Sequence, residues 1–103
     1  MALNELTSGD FEKELNDGVC LIDFYADWCG PCRALAPVME RVEELGVSVY
    51  KIDIEANSDA AARFGVRSIP TVIVMKNKKP VEILVGTKSF EDYESVINKI
   101  NEE

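Results

Sequence analysis

Two cysteines separated by two residues are the side chains in this sequence best suited to covalent chemistry: Cys29-Gly30-Pro31-Cys32, preceded by Trp28. They follow the apolar run 19–26 and precede a segment with helical spacing of apolar residues, so they lie where a strand passes into a helix. Pro31 fits the first turn of a helix, where a backbone N–H has no partner. The helix N-terminus favours the thiolate form of Cys29. The pair therefore indicates thiol–disulfide chemistry.

The two cysteines are not equivalent in this interpretation. Cys29 lies at the helix N-terminus, whereas Cys32 lies one turn deeper, so we expect Cys29 to be the more exposed and the more nucleophilic thiol. Cys20 falls within the apolar run and is predicted to be a small buried hydrophobe. A zinc site would need further ligands, and the chain has neither a histidine nor a second Cys-x-x-Cys. We therefore expect no metal and no bound cofactor, with the Cys29–Cys32 pair itself as the redox centre.

Size and composition are those of a small globular protein. The chain has 103 residues, of which 47% are hydrophobic and 29% charged, so we expect a single domain over residues 1–103. The net charge of −8 argues against binding to nucleic acid or to an anionic membrane surface. The N-terminal residues lack the pattern of a signal peptide, and no apolar run approaches transmembrane length. A cytoplasmic location is the expectation.

Periodicity predicts alternating strands and helices. A first short helix is predicted between Thr7 and Gly18, and a second with the apolar stripe Leu35, Val38, Val42 and Leu45. Strands are predicted at 19–26, 47–54, 70–75 and 81–85, and the helices after the first at 31–45, 58–64 and 89–101. The fold class is therefore α/β, with a mixed sheet flanked by helices.

Three segments, in this order and spacing, resemble the thioredoxin family over essentially the whole chain. Residues 21–33 with Ala36-Pro37 are similar to the active-site segment of that family, 66–71 to its cis-proline loop, and Val85-Gly86 to its glycine near the site. The Gly-Pro dipeptide between the cysteines differs from the glutaredoxin-like and disulfide-isomerase-like patterns. The resemblance implies the thioredoxin fold, a central mixed β-sheet with helices on both faces.

Two positions depart from the family pattern. Asn77 is followed by Lys78-Lys79-Pro80, where many members have Asn-Gly, so the turn type of the hairpin is left open. Tyr25 stands where many members have tryptophan, which changes local packing but not the chemistry.

If Cys32 acts as the second nucleophile of the pair, it must first lose its proton. Two charged residues within the apolar strands, Asp23 and Lys51, are candidates to assist this step. Asp23 interrupts the apolar strand that leads to Cys29, and burial there raises the pKa of its carboxyl group. A carboxylate with a raised pKa can accept a proton near neutral pH, so Asp23 is the predicted base for Cys32. Lys51 lies in the middle of the neighbouring apolar strand and is its predicted charge partner, a pairing that the resemblance also implies.

The resemblance implies a protein-disulfide reductase, a general dithiol electron donor. Cys29 attacks a disulfide of a client protein, and Cys32 resolves the mixed disulfide. The implied substrate surface consists of Trp28, Gly30, Pro31, Ile69, Pro70 (in a cis peptide) and Gly86. The implied partners are thioredoxin reductase and disulfide-containing client proteins, and the chain is expected to be a monomer. Two alternatives stay open: an oxidant or isomerase on the same scaffold, and a redox-independent binding subunit that presents the surface around Trp28 and Pro70.

Overall fold

The computed structural model describes residues 4–7, 15 and 17–102. The short helix predicted between Thr7 and Gly18 lies mostly outside these residues. The elements are β1 (Asn4–Leu6), β2 (Val19–Tyr25), α1 (Gly30–Glu43), β3 (Ser48–Asp53), α2 (Ser58–Arg63), β4 (Thr71–Lys76), β5 (Lys79–Val85) and α3 (Phe90–Asn101). Every predicted element from residue 19 onward is present, with bounds that differ by one or two residues.

The five strands form one mixed sheet in the order β1-β3-β2-β4-β5. Strands β1, β3 and β2 are parallel, whereas β4 pairs antiparallel with both β2 and β5. The strand β2, which leads into the Cys-x-x-Cys segment, is central and buried on both faces. This explains its nearly continuous apolar sequence.

Helices cover both faces of the sheet, as predicted. On one face, α1 and α3 share a core cluster with β2 and β4; its members include Leu21, Leu35, Met39, Val42, Val72, Val74, Tyr93 and Ile97. On the other face, Ala60 and Ala61 of α2 belong to a second cluster, whose members include Cys20, Ile22, Phe24, Ile52 and Ile73. Cys20 is fully buried there, as its place in the apolar run predicts.

One residue of the predicted α1 stripe is placed differently. Leu45 is 45% exposed, because the helix ends at Glu43 and Leu45 lies in the turn that follows. Met39, at helical spacing from Leu35 and Val42, is fully buried. The buried stripe of α1 is therefore shifted toward the N-terminus.

The hairpin turn, left open by the sequence, is a two-residue turn at Asn77-Lys78. Both residues have positive φ, 53° and 68°, as a type I′ turn requires. Asn77 also makes two hydrogen bonds to Gly18, which directly precedes β2. Its side-chain oxygen accepts from the Gly18 N–H at 2.8 Å, and its own N–H donates to the Gly18 carbonyl at 2.9 Å. Lys78 therefore occupies a conformation that glycine adopts more easily.

Candidate active site

Cys29 and Cys32 form a disulfide at the N-terminus of α1, with their Cα atoms 5.2 Å apart. Cys29 is the N-cap residue, with extended backbone, and its sulfur accepts a hydrogen bond from the Cys32 backbone N–H at 3.2 Å. Pro31 falls in the first turn of the helix, where it costs no hydrogen bond. The helix N-terminus thus directs a backbone donor at the Cys29 sulfur, which favours a negative charge on that atom in the reduced form.

The expected difference in exposure between the two cysteines is wrong for this disulfide form. Cys29 is 4% exposed and Cys32 is 5% exposed. The reason is a small apolar cluster in which both cysteines pack with Ala26, flanked by Ile54 and Ile69. Residue exposure in the disulfide form therefore gives Cys29 no advantage, and the feature that distinguishes it is its position at the helix N-terminus.

A cleft beside Cys29 is lined by most of the residues predicted to contact substrate. Trp28 is 64% exposed at its rim, an unusual exposure for a large aromatic side chain. Gly30, Pro31 and Ile69 also line the cleft. It has a volume of roughly 440 Å³ and is further lined by Ile54, Val66, Arg67 and Ser68. An exposed aromatic next to a reactive sulfur is typical of a surface that binds another molecule.

Pro70 and Gly86 lie next to the cleft and are joined to each other. The Ile69–Pro70 peptide is cis, as the family pattern implies. The Gly86 N–H donates to the Pro70 carbonyl at 2.9 Å, and Gly86 has a φ of +87°, which favours glycine. Neither residue lines the cleft itself, although Pro70 directly follows the cleft residue Ile69.

Ile54 is a cleft residue that the sequence analysis missed. It follows β3 directly, and its N–H donates to the Tyr25 carbonyl at 3.0 Å, at the end of the adjacent parallel strand β2. Carboxyl ends of parallel strands meet at one edge of a sheet, where sites commonly form. This rule could have identified Ile54 from the predicted strands alone.

Asp23 lies on β2 with its carboxyl group in the core. The residue is 4% exposed, and its Oδ1 atom has no hydrogen-bond partner. Burial raises the pKa of Asp23 from 3.8 to about 7, and the positive charge of Lys51 lowers it by a smaller amount. The carboxyl group is therefore poised to exchange a proton near neutral pH.

Lys51 is the register partner of Asp23 on β3. Its Nζ atom lies 5.3 Å from the centroid of the Tyr25 ring, a cation–π arrangement. The Tyr25 hydroxyl in turn donates a hydrogen bond to the Glu5 carboxylate on β1. Tyrosine at this position thus adds a link to the edge strand β1 that a tryptophan indole cannot make in the same way.

A cavity joins the buried carboxyl group to the second cysteine. It has a volume of roughly 370 Å³, and Asp23, Cys32 and Lys51 all line it. Tyr25, Ala26, Asp27, Arg33, Ala36 and Glu40 complete its lining. Asp23 and Cys32, on different elements, therefore border the same cavity.

The residues that the structure describes contain no group of three potential metal ligands. Within the same ranges, no helix is long and apolar enough to cross a bilayer.

Comparisons with known proteins give one consistent result. The family model described as Thioredoxin matches residues 2–99. The thioredoxin of Listeria monocytogenes is 40% identical over 100 residues, covering 94% of this chain and 97% of that protein. The thioredoxin of Bacillus subtilis is 42% identical over 102 residues, covering 96% and 98%.

A solved structure extends the similarity to three dimensions. A mutant thioredoxin from Halobacterium salinarum NRC-1 matches with a TM-score of 0.84 and 32% sequence identity, covering 96% of this chain and 94% of that one. The match confirms the predicted fold. Together with the Cys29–Cys32 disulfide at a helix N-terminus, these similarities establish that the chain belongs to the thioredoxin family of protein-disulfide reductases.

Proposed function

We propose that the chain donates electrons to client proteins through a two-step exchange in which Cys29 is the nucleophile and Cys32 the resolving thiol. The Cys29 thiolate attacks one sulfur of a client disulfide; the client S–S bond breaks, a mixed disulfide forms, and the other client sulfur leaves as a thiolate. The observation that carries this assignment is the position of Cys29 as the N-cap of α1, with the Cys32 N–H directed at its sulfur.

In the second step the Cys32 thiolate attacks the Cys29 sulfur. The mixed disulfide breaks, the Cys29–Cys32 bond forms, and the second client sulfur is released. The client gains two electrons and two protons, and the dithiol of this chain loses them. Asp23 takes the proton from Cys32, a role supported by their shared cavity and by a pKa of about 7 for the carboxyl group. Lys51 keeps a fraction of Asp23 ionised by lowering its pKa.

The client binds over the cleft formed by Trp28, Gly30, Pro31 and Ile69, next to Pro70 and Gly86. The exposed Trp28 ring and the small residues between the cysteines favour an extended segment that can bring its disulfide close to Cys29.

The general partners of this chain follow from its membership of the thioredoxin family. Client proteins that carry disulfides and a reductase that restores the dithiol are its general partners. We infer that thioredoxin reductase is the reductase here, and that the chain acts as a one-domain monomer in the cytoplasm without nucleic acid, membrane or prosthetic group. The net charge of −8 supports the exclusion of nucleic acid and anionic membranes.

The test is reduction of insulin by dithiothreitol in the presence of the protein. We expect the wild type to accelerate insulin precipitation, Cys29→Ser to abolish that acceleration, and the matched variant Cys20→Ser to retain it. A Cys29→Ser variant with wild-type activity would contradict the proposal. Equilibration of the wild-type disulfide with a glutathione series separates a reductase from an oxidant or isomerase, since a reductase dithiol needs a strongly reducing mixture to form.

A further inference from the structure

Two buried side-chain oxygens lack a hydrogen-bond partner within the described part of the chain. They are Oδ1 of Asp23 and the hydroxyl oxygen of Tyr93. Tyr93 is fully buried and Asp23 is 4% exposed. Buried polar atoms are nearly always satisfied by protein or ordered water, so two unpaired oxygens in one small core call for a common explanation.

Both oxygens belong to the same side of the sheet. Asp23 alternates with Leu21 along β2, and its register partner on β4 is Val72. Tyr93, on α3, belongs to the core cluster that contains Leu21 and Val72. The helix α3 packs against β2 as well as against α1. Tyr93 therefore enters the core from the helix that covers the strand carrying Asp23.

The electrostatic interaction between Asp23 and Tyr93 is a second observation that links the two side chains. Burial raises the pKa of the Tyr93 phenol, and the next cause of its rise is the negative charge of Asp23. The charge of a carboxylate acts on a phenol in this way when both groups are buried in the same region of low dielectric constant. The Tyr93 phenol is neutral at physiological pH, and is hence a hydrogen-bond donor.

We propose that Tyr93 is a positioning residue for Asp23: its hydroxyl donates a hydrogen bond to one buried water that in turn donates to Oδ1, and this bridge stabilises the ionised carboxylate. The inference rests on the proposed role of Asp23 as the base for Cys32. Tyr93 does not line the cavity that Asp23 shares with Cys32. It therefore acts on the carboxyl group from within the core and does not occupy the cavity that Asp23 shares with Cys32.

The other charged and titratable groups around Asp23 come from different elements. They are Cys32, Arg33 and Glu40 from α1, Lys51 from β3, and Tyr25 and Asp27 from β2 and the loop after it. All of these groups line the cavity, whereas the Tyr93 side chain is buried in the core cluster and does not line it. Removing the Tyr93 hydroxyl therefore changes one neighbour of Asp23 and leaves the cavity side intact.

The expected effect has a definite sign. A hydrogen bond to the charged form of a carboxyl group lowers its pKa, so Tyr93→Phe should raise the pKa of Asp23. We expect a rise of about half a pH unit or more. The matched control is Tyr50→Phe, which removes the same atom from a buried tyrosine on the opposite face of the sheet.

The experiment is a ¹³C NMR titration of the Asp23 carboxyl carbon in the oxidised full chain. A higher Asp23 pKa in Tyr93→Phe, with none in Tyr50→Phe, supports the inference. An unchanged pKa in Tyr93→Phe, or an equal rise in both variants, overturns it. The pH profile of insulin reduction is recorded alongside: a raised Asp23 pKa with an unmoved profile supports the Tyr93 contact and contradicts the proposed role of Asp23.

Discussion

The Asp23 carboxyl group on β2 and the Cys32 side chain on α1 line the same cavity, although both residues are almost fully buried. A buried carboxyl group with a pKa of about 7 destabilises the folded state when ionised, since burial disfavours its charge. The proposed transfer of the Cys32 proton to Asp23 would account for a destabilising carboxyl group at this place. The proposal therefore predicts that loss of the Asp23 carboxyl group raises the free energy of unfolding and lowers activity.

Replacement of Asp23 by alanine should therefore stabilise the fold at neutral and alkaline pH. The folded-state pKa of about 7 lies above the ordinary value of 3.8, so ionisation of Asp23 costs the wild type stability as the pH rises through this interval. One pKa unit corresponds to about 1.4 kcal/mol, so the advantage of Asp23→Ala should grow by about 2–3 kcal/mol from pH 5 to pH 8. Urea denaturation of both proteins at the two pH values measures it. A variant less stable than wild type at pH 8 would indicate a satisfied structural carboxylate.

Lys51→Met should raise the pKa of Asp23 further. The ammonium group lowers that pKa, and methionine preserves most of the side-chain length without the charge. Insulin reduction should therefore require a higher pH, with the midpoint of its pH profile displaced upward by about half a unit or more. Lys79→Met, on the edge strand β5, is the matched control and should leave the profile unchanged. A midpoint that does not move would show that Lys51 is not coupled to Asp23.

Lys78→Gly should stabilise the hairpin. Lys78 has a φ of 68° in the two-residue turn, a conformation in which glycine has no side-chain penalty. We expect a gain of roughly 0.5–1 kcal/mol in the free energy of unfolding. Lys79→Gly, one residue later in β5, should instead lower stability because glycine weakens a strand. Equal effects of the two changes in thermal denaturation would argue against the turn geometry.

Much of this architecture is predictable from local patterns. The continuous apolar run of β2 and the helical spacing of Leu35 and Val42 give the strand and helix around the cysteines, and Asp23 is conspicuous because it interrupts that run. The three-residue strand Asn4–Leu6 was missed, since so short an edge strand carries no periodicity. Its place is fixed by pairing with β3, a long-range contact.

The place of Tyr93 in the core also depends on tertiary structure. Its spacing with Phe90, Ile97 and Ile100 indicates an ordinary apolar helix face. Only the packing of α3 over β2 places its hydroxyl on the side of the sheet that carries Asp23. The burial of Cys29 likewise could not be predicted from local sequence. The apolar cluster around it joins residues that are distant in sequence, from β2, the loop after β3 and the cis-proline loop.

In the reduced protein, alkylation at pH 7 should modify Cys29 before Cys32 and Cys20. Since residue exposure in the disulfide form does not distinguish Cys29 from Cys32, the preference should come from the helix N-terminus, which favours a negative charge on the Cys29 sulfur. Cys20 is fully buried and should react only on unfolding. Peptide mapping by mass spectrometry after partial alkylation with iodoacetamide measures the order. Labelling of Cys20 as fast as Cys29 would be incompatible with this structure.

The two-step mechanism is tested most directly by trapping its intermediate with Cys32→Ser. Without the resolving thiol, the Cys29 attack should proceed and release should stop, so a disulfide-bearing client such as insulin should accumulate as a covalent adduct on Cys29. Non-reducing electrophoresis with mass spectrometry should show this adduct and its loss on adding dithiothreitol, while Cys20→Ser should show none. Wild-type rates of insulin turnover by Cys32→Ser, with no adduct on Cys29, would contradict the account.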